Sequence, residues 1–153
     1  MDNIFNSDFR DFIAALNHHE VEYILVGGYS VILYGYSRTT GDLDIWVNKT
    51  SQNYNRLKTA FHYFGMPVFD MTETNFLENN NLNVFSFDRS PVSIDVMTEV
   101  KGLNFKETFA ECSLIEVEGL PIRLIPFDFL IKAKKSAGRS KDLDDLENLQ
   151  PGK

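Results

Sequence analysis

Cysteine, long apolar runs and positive charge are all scarce in this chain of 153 residues. Cys112 is the one cysteine, which excludes an internal disulfide. No apolar stretch approaches the roughly twenty residues of a membrane span, and the first residues lack the pattern of a signal peptide. We therefore expect a protein of the reducing cytoplasm that has no membrane attachment.

The chain is acidic, with 22 Asp and Glu against 15 Lys and Arg and a formal net charge of -7. This balance argues against non-specific binding of nucleic acid through a basic surface, although it leaves room for a local basic site. Hydrophobic residues make up 43% of the chain and thirteen residues are Phe, which is sufficient for one substantial core. We expect a single domain over residues 1–153.

Hydrophobic periodicity predicts a chain in which helices and strands alternate. The first helix follows a cap at Ser7 or Asp8 and carries an apolar stripe, and the last opens at Pro126. The other elements, in chain order, are a strand at Tyr23–Val26, a short helix at 30–36, a strand at Asp42–Val47, a helix at Ser51–Phe64, a loop at 70–83, a hairpin of strands 82–87 and Val92–Met97, a helix at Phe105–Glu111, and a hairpin of strands 114–117 and 122–125.

Two carboxylates lie one residue apart in the strand that begins at Asp42. Because side chains alternate along a strand, Asp42 and Asp44 point to one face while Leu43 points to the core. Ionised carboxylates this close disfavour each other until a proton or cation intervenes. Magnesium suits the pair, since it takes one or two carboxylates and fills its other positions with water and phosphate oxygens. The alternative for Asp42, which follows Gly41, is an ordinary turn acid.

A glycine pair closes the preceding apolar strand. Gly27 and Gly28 allow positive φ and a close backbone approach, and a helix starting near Tyr29 or Ser30 would aim free N–H groups at an anion. The alternative is a tight turn with no ligand.

A third acid, Asp95, stands in the strand Val92–Met97 with Ile94 and Val96 on the opposite face. It could be an ordinary exposed strand residue. Acids are nevertheless depleted in strands, so three of them in two apolar segments favour a common cause. Three carboxylates from neighbouring strands could hold two metal ions and activate an attacking hydroxyl for displacement at phosphorus.

The order Gly27-Gly28, then Asp42-x-Asp44, then an apolar-flanked Asp95 resembles the polymerase-β-type nucleotidyltransferase superfamily. The stretch that runs on through Ser30 and Arg38 to Asp44 is most similar to its bacterial abortive-infection-toxin-like and minimal nucleotidyltransferase branches. The resemblance implies an α+β palm, in which a mixed β-sheet has helices packed on one face. The core would span about 20–125, and a short C-terminal helical tail about 126–150.

The resemblance also implies roles for individual residues. Asp42 and Asp44 would bind two ions of Mg²⁺ or Mn²⁺, and Asp95 would be a metal ligand or general base. The triphosphate of a nucleoside triphosphate would lie against Gly27, Gly28 and Ser30, and Arg38 would contact a phosphate or the acceptor.

The C-terminal quarter carries a basic segment. Five of the ten residues at 132–141 are Lys or Arg, and Lys132, Lys135 and Arg139 recur on one side of the predicted helix. The alternative is a solvated helix face. Since a lysine on the corresponding helix of relatives reaches the nucleotide, the resemblance makes Lys132 the best basic candidate for nucleotide binding, followed by Arg139 and Lys141.

The activity implied is transfer of a nucleoside monophosphate to an acceptor hydroxyl on tRNA, a partner protein or a small molecule, with release of pyrophosphate. By analogy the setting would be a toxin-antitoxin or phage-defence system, in which a second copy or a cognate toxin or antitoxin supplies acceptor recognition. Two alternatives stay open. One is a non-catalytic nucleotide-binding antitoxin or sensor, and the other is an antibiotic adenylyltransferase.

Overall fold

A mixed six-stranded β-sheet is the centre of the molecule, which a computed structural model describes over residues 5–36, 40–89 and 92–149. The described elements are α1 (Ser7–His18), β1 (Tyr23–Val26), α2 (Gly27–Leu33), β2 (Asp42–Val47), α3 (Ser51–Phe64), α4 (Glu73–Leu77), β3 (Val84–Arg89), β4 (Val92–Met97), α5 (Phe105–Glu111), β5 (Ser113–Val117), β6 (Leu120–Leu124), α6 (Phe127–Ala137) and α7 (Ser140–Leu149).

The strands lie in the order β3-β4-β2-β1-β6-β5. Strand β2 pairs antiparallel with β1 and parallel with β4, while β1 pairs parallel with β6. The hairpins β3–β4 and β5–β6 complete the two edges, as the sequence predicts. The mixed sheet and its helices confirm the α+β prediction. None of the helices in these described ranges is long and apolar enough to span a membrane.

The core follows from the alternation along the strands. Leu43 and Ile45 of β2 are fully buried on the face that α1 and α3 cover. The rings of Phe12 and Phe61 meet edge to face at 5.5 Å between these two helices, and Phe61 also packs on Phe87 of β3. Burial of aromatic side chains on this scale is the main stabilising contribution in a domain of this size.

Helices α5 and α6 pack on the other face of the sheet. Trp46, which shares the face of Asp44, packs edge to face on Phe105 of α5 at 5.1 Å. Leu130 of α6 is buried there as well and shares a cleft with Asp44. Helices α1 and α3 pack on one face of the sheet, as predicted. Helices α5 and α6 cover part of the second face, and an open cleft lies between α6 and the sheet.

Helix ends are set by caps. The first helix is capped by Asn6, whose side chain accepts a hydrogen bond from the Phe9 N–H at 2.9 Å, rather than by Ser7 or Asp8. Thr50 caps α3 in the same way, and Gly65 ends it in the left-handed conformation.

Strand β3 runs from Val84 to Arg89, two residues later than predicted. The helix predicted after Pro126 ends at Ala137, so Arg139 lies beyond it and does not share a helix face with Lys132.

Other boundaries differ from the sequence prediction as well. The predicted loop at 70–83 contains α4, a single short turn that Thr72 caps and whose Phe76 is fully buried. It is too short to show a helical period. Helix α2 begins at Gly27, three residues before the predicted start, and ends at Leu33. Strand β6 begins at Leu120, so the hairpin turn is shorter than predicted.

Candidate active site

The three predicted acids stand on one face of adjacent strands. In the parallel ladder of β2 and β4, Asp44 lies directly opposite Asp95, and Asp42 lies opposite Ser93. Residues that are opposite each other in a sheet point to the same face, so the carboxylates of Asp44 and Asp95 are near neighbours. The structure therefore brings these acids together from segments that are distant in sequence, as the resemblance implies.

The acids do not form a closed metal cage. Within residues 5–36, 40–89 and 92–149, no group of three or more Asp, Glu, His or Cys side chains is gathered closely enough to hold a metal ion. Asp42 is the exposed first residue of β2, whereas Asp44 is half-buried, so the two carboxylates do not share one enclosed position. The shared face is thus established, but the predicted three-carboxylate metal site stays a prediction.

Asp44 has an unusual protonation equilibrium. Burial, followed by the charges of Asp95 and Asp42, raises its pKa from 3.8 to about 7, while the charges of Lys141 and Lys134 act in the opposite direction. A carboxyl group with this pKa lacks enough compensating charge for its ionised form. A divalent cation beside it would supply that charge, which is why the residues present fit Mg²⁺ or Mn²⁺.

The glycine turn packs directly on this carboxyl group. Gly27 has φ of +72° and is the first residue of α2, at the end of a strand that pairs with β2. A Cβ atom on Gly27 would overlap Oδ2 of Asp44 and lie 2.7 Å from its Cγ. Glycine is therefore needed here for both the backbone conformation and the space. Gly28 follows it, buried inside α2.

Ser30 and Arg38 are the other residues that the resemblance places near the phosphates. Ser30 is fully buried, and its hydroxyl donates a 2.6 Å hydrogen bond to the carbonyl oxygen of Gly27. This arrangement holds the glycine turn and does not present the hydroxyl to a ligand, so the direct phosphate contact predicted for Ser30 is not supported. Arg38 lies outside the described residues.

A cleft of about 180 Å³ opens beside Asp44. The sheet side contributes Gly27 and Asp44, and the opposite wall is formed by α6, the start of α7 and residues 99–101. The charged side chains of that second wall and its rim are Glu99, Lys101, Lys134, Arg139 and Asp142. The cleft therefore places one acid of the sheet, Asp44, opposite a wall of mixed charge.

The predicted basic residue Lys132 is exposed and does not line this cleft, whereas Lys134 does. Lys134 was missed because it falls on the apolar side of α6, four residues after the buried Leu130. That position is itself a signal, since a lysine on a buried helix face needs a charged partner.

An ion network fixes Lys134. Its Nζ lies 3.2 Å from Oδ1 of Asp142 and 3.1 Å from Oδ2 of Asp145, and both aspartates are buried. Arg139 joins from the helix junction, with its Nε 2.6 Å from Oδ2 of Asp142. Burial alone would raise the pKa of Asp142, but the hydrogen bonds and charges of Arg139 and Lys134 outweigh it and lower that pKa.

No protein-family model matches the sequence, and no curated protein sequence matches it. Similar folds do occur among solved structures. The lincosamide antibiotic adenylyltransferase LnuA, solved with lincomycin bound, has a TM-score of 0.62 and 16% identity over 98% of this chain and 99% of its own. The aminoglycoside enzyme ANT(2″)-Ia, in complex with adenylyl-2″-tobramycin, has a TM-score of 0.60 and 13% identity over 91% of this chain and 83% of its own.

An antigenic nucleotidyltransferase-like protein from Paracoccidioides brasiliensis gives a TM-score of 0.52 and 13% identity over 95% of this chain and 75% of its own. These three structures each match more than nine-tenths of this chain, with TM-scores above 0.5. At such low identity these structures establish the fold of this chain. Any activity has to be argued from the residues of its own site. The chain therefore has the nucleotidyltransferase fold.

Proposed function

We propose that this protein is a metal-dependent nucleotidyltransferase, which transfers a nucleoside monophosphate from a nucleoside triphosphate to an acceptor hydroxyl. The observation that carries the proposal is the juxtaposition of Asp44 with Asp95 across β2 and β4, directly beside the Gly27 turn, in a nucleotidyltransferase fold. Fold alone would not support an activity, but acids and a glycine turn placed together are the parts that phosphoryl transfer requires.

One or two Mg²⁺ or Mn²⁺ ions would be held by Asp44 and its neighbour Asp95, with Asp42 as a further ligand at the exposed start of β2. Such an ion needs only one or two carboxylates, because water and triphosphate oxygens fill its other positions. When bound, the metal would neutralise triphosphate charge and make the acceptor hydroxyl more acidic. The first turn of α2 leaves backbone N–H groups without partners in the helix, and Gly27 lets this turn approach the acids closely. Lys134 and Arg139 place two cationic groups, each paired with aspartate, on the opposite wall.

The reaction that fits these parts is an in-line displacement. The acceptor oxygen forms a bond to the α-phosphorus, and the bond from that phosphorus to the bridging oxygen of pyrophosphate breaks. The hydroxyl proton passes to a carboxylate oxygen of Asp95, which is opposite Asp44 and half-buried. Asp44 serves this step in its ionised form, because a protonated carboxyl group is a poor ligand for a cation.

The acceptor is the open part of the proposal. Resemblance to the abortive-infection-toxin-like and minimal branches favours RNA or a partner protein as acceptor, within a toxin-antitoxin or phage-defence system. One observation favours a small molecule as a second candidate. LnuA, an antibiotic adenylyltransferase, matches this chain over 99% of its own length.

The test is incubation of the protein with each nucleoside triphosphate, labelled on the α-phosphate, in the presence of Mg²⁺ or Mn²⁺. Candidate acceptors are tRNA, cell protein, a lincosamide and an aminoglycoside. We expect label transfer to one acceptor class, with Asp44→Asn inactive and Asp70→Asn, which alters an exposed loop acid, fully active.

The outcomes separate the alternatives. Label on a drug identifies an antibiotic adenylyltransferase, and label on RNA or protein identifies a macromolecular acceptor. Nucleotide binding without transfer to any acceptor contradicts the catalytic proposal and favours a nucleotide sensor. A protein that neither binds nor transfers nucleotide overturns both readings.

A further inference from the structure

Asp142 joins the last two described helices through its carboxylate. It is fully buried and accepts hydrogen bonds from the backbone N–H of Arg139 at 3.1 Å, from Nε and Nη2 of the same arginine at 2.6 and 3.2 Å, and from Nζ of Lys134 at 3.2 Å. Four donors on one buried carboxylate satisfy its ionised form. The carboxylate thereby links a residue of α6, the helix junction and the start of α7.

The junction itself is short. Helix α6 ends at Ala137, Gly138 follows in the left-handed conformation with φ of +65°, and α7 begins at Ser140. The carbonyl oxygen of Arg139 accepts the first bond of α7, from the N–H of Leu143, so Arg139 is its N-cap. An acid three residues after the N-cap that reaches back to the N-cap N–H is one half of a capping box. Asp142 therefore also sets where α7 starts.

The same residues form a wall of the cleft. Lys134, Arg139 and Asp142 all line it, across from Asp44 of the sheet. The Arg139 side chain is 61% exposed, so a long, flexible cation at the mouth of the cleft is held in one place by a buried anion. Lys134 has a second anchor in Asp145, whereas the described ion pair of Arg139 is with Asp142.

We infer, on the basis of the proposed function, that Asp142 is a positioning residue, which holds the Lys134 ammonium and the Arg139 guanidinium toward the nucleotide phosphates across from Asp44. Two cations balance two aspartates in this network, so it adds little net charge to the cleft. What it contributes is a fixed direction for the two cationic groups, and this is worth most when the ligand is a polyanion with defined geometry.

A purely structural role accounts less well for the network. Burying charged groups costs desolvation energy that their attraction barely offsets, and apolar residues of similar size often stabilise such a joint equally well. The network also lies at the cleft rather than deep in the core between α1 and α3.

The experiment compares Asp142→Asn with wild-type protein in labelled-nucleotide transfer and in calorimetric binding of a non-hydrolysable nucleoside triphosphate analogue. We expect KM for the nucleotide, and Kd for the analogue, to rise at least about tenfold while kcat falls less, since the asparagine amide cannot hold two cationic donors. Asp145→Asn leaves the Arg139 pair intact, so its KM should rise by less. Lys106→Gln, on the exposed side of α5, should change neither constant.

A second variant keeps the inference testable if Asp142→Asn folds poorly. Arg139→Lys keeps the positive charge on an exposed side chain but loses the forked contact to Asp142. If Asp142 positions the guanidinium, Arg139→Lys should raise KM nearly as much as Arg139→Gln does, and the Tm of Arg139→Lys should be almost that of wild type. If Arg139→Lys has wild-type KM, charge alone is needed and the inference is overturned.

The remaining outcomes distinguish this inference from the proposed function. An active wild type whose Asp142→Asn variant has unchanged KM and Kd overturns the positioning role and leaves the function in place. A variant with a lower Tm and a kcat loss proportional to its unfolded fraction, at constant KM, also overturns it. A wild type with no nucleotide binding and no transfer overturns the proposed function, and the inference with it.

Discussion

The carboxyl group of Asp44 lies in the space that a side chain on Gly27 would need. A Cβ atom placed on Gly27 would overlap Oδ2 of Asp44, and the φ of +72° at Gly27 is one that other residues adopt at a cost. The end of β1 and the middle of β2 are paired at this point, with Val26 opposite Asp44. Gly27 and Asp44 are seventeen residues apart in the sequence but pack directly against each other in the fold.

We predict that Gly27→Ala lowers the free energy of unfolding by at least about 2 kcal/mol, because backbone strain and the overlap with Asp44 add together. Urea denaturation measures this change. Gly119→Ala is a matched control, since Gly119 has φ of +82° but a Cβ atom there would meet nothing within 4 Å. It should cost only the strain, about 1 kcal/mol.

A double variant isolates the overlap. Adding Asp44→Ala to Gly27→Ala removes the atoms that the new methyl group meets, so part of the lost stability should return. Equal losses for Gly27→Ala and Gly119→Ala would contradict the close packing of Gly27 on Asp44.

Asp44 should also make the stability of the protein depend on pH. Its pKa is 3.8 unperturbed and about 7 in the fold, because of burial and the charges of Asp95 and Asp42. Between these values the folded state binds a proton that the unfolded state has lost. Stability contributed by this group therefore falls as pH rises from about 4 to about 7, and is constant above that range.

The corresponding prediction is that Asp44→Asn, measured without divalent ions, is more stable than wild type at pH 8 by about 2–4 kcal/mol, while near pH 4 the two proteins are similar. Thermal unfolding at both pH values measures the difference. Asp70→Asn, which changes an exposed acid of the loop before α4, controls for the loss of one negative charge. A wild type that is as stable as Asp44→Asn at pH 8 would show that Asp44 ionises there without cost.

The side of the sheet on which the acids stand was predictable, because the strand period of two places Asp42 and Asp44 together and Leu43 opposite them. The pairing of β2 with β4 was not contained in that pattern. Local alternation carries no register, so the position of Asp95 directly across from Asp44 came from family resemblance and from the structure.

Lys132 and Ser30 do not line the cleft, and each has a specific physical reason. The resemblance makes Lys132 the best basic candidate for nucleotide binding, but Lys132 lies on the exposed side of α6. The cleft contains Lys134, a lysine on the apolar side whose aspartate partners follow later in the chain. The resemblance also implies that Ser30 lies against the triphosphate. The short α2 instead turns its hydroxyl back to Gly27, a local bond that serines commonly make in the first turn.

The side chain of Asn53 connects the residue before β1 to the residue after β2. It is fully buried, its Oδ1 accepts the Glu22 N–H at 2.7 Å, and its Nδ2 donates to the carbonyl oxygens of Glu22 and Asn48 at 3.1 and 2.9 Å. Asn53→Leu leaves these groups without partners, so we expect unfolding free energy to fall by about 3 kcal/mol. Asn55→Leu, on the exposed side of α3, should change it by less than about 0.5 kcal/mol in the same urea titration.

The acids of the sheet should bind divalent ions in competition with protons. Because Asp44 ionises near pH 7, we expect the affinity for Mn²⁺, measured by calorimetry in the presence of a non-hydrolysable nucleotide, to increase between pH 6 and pH 8 and then to level off. Asp95→Asn removes one ligand and should weaken binding about tenfold, although it also removes a charge that raises the pKa of Asp44. Its Mn²⁺ affinity should consequently level off at a lower pH than that of wild type. Asp70→Asn should match wild type at every pH, and equal affinity in Asp95→Asn and wild type would exclude Asp95 as a ligand.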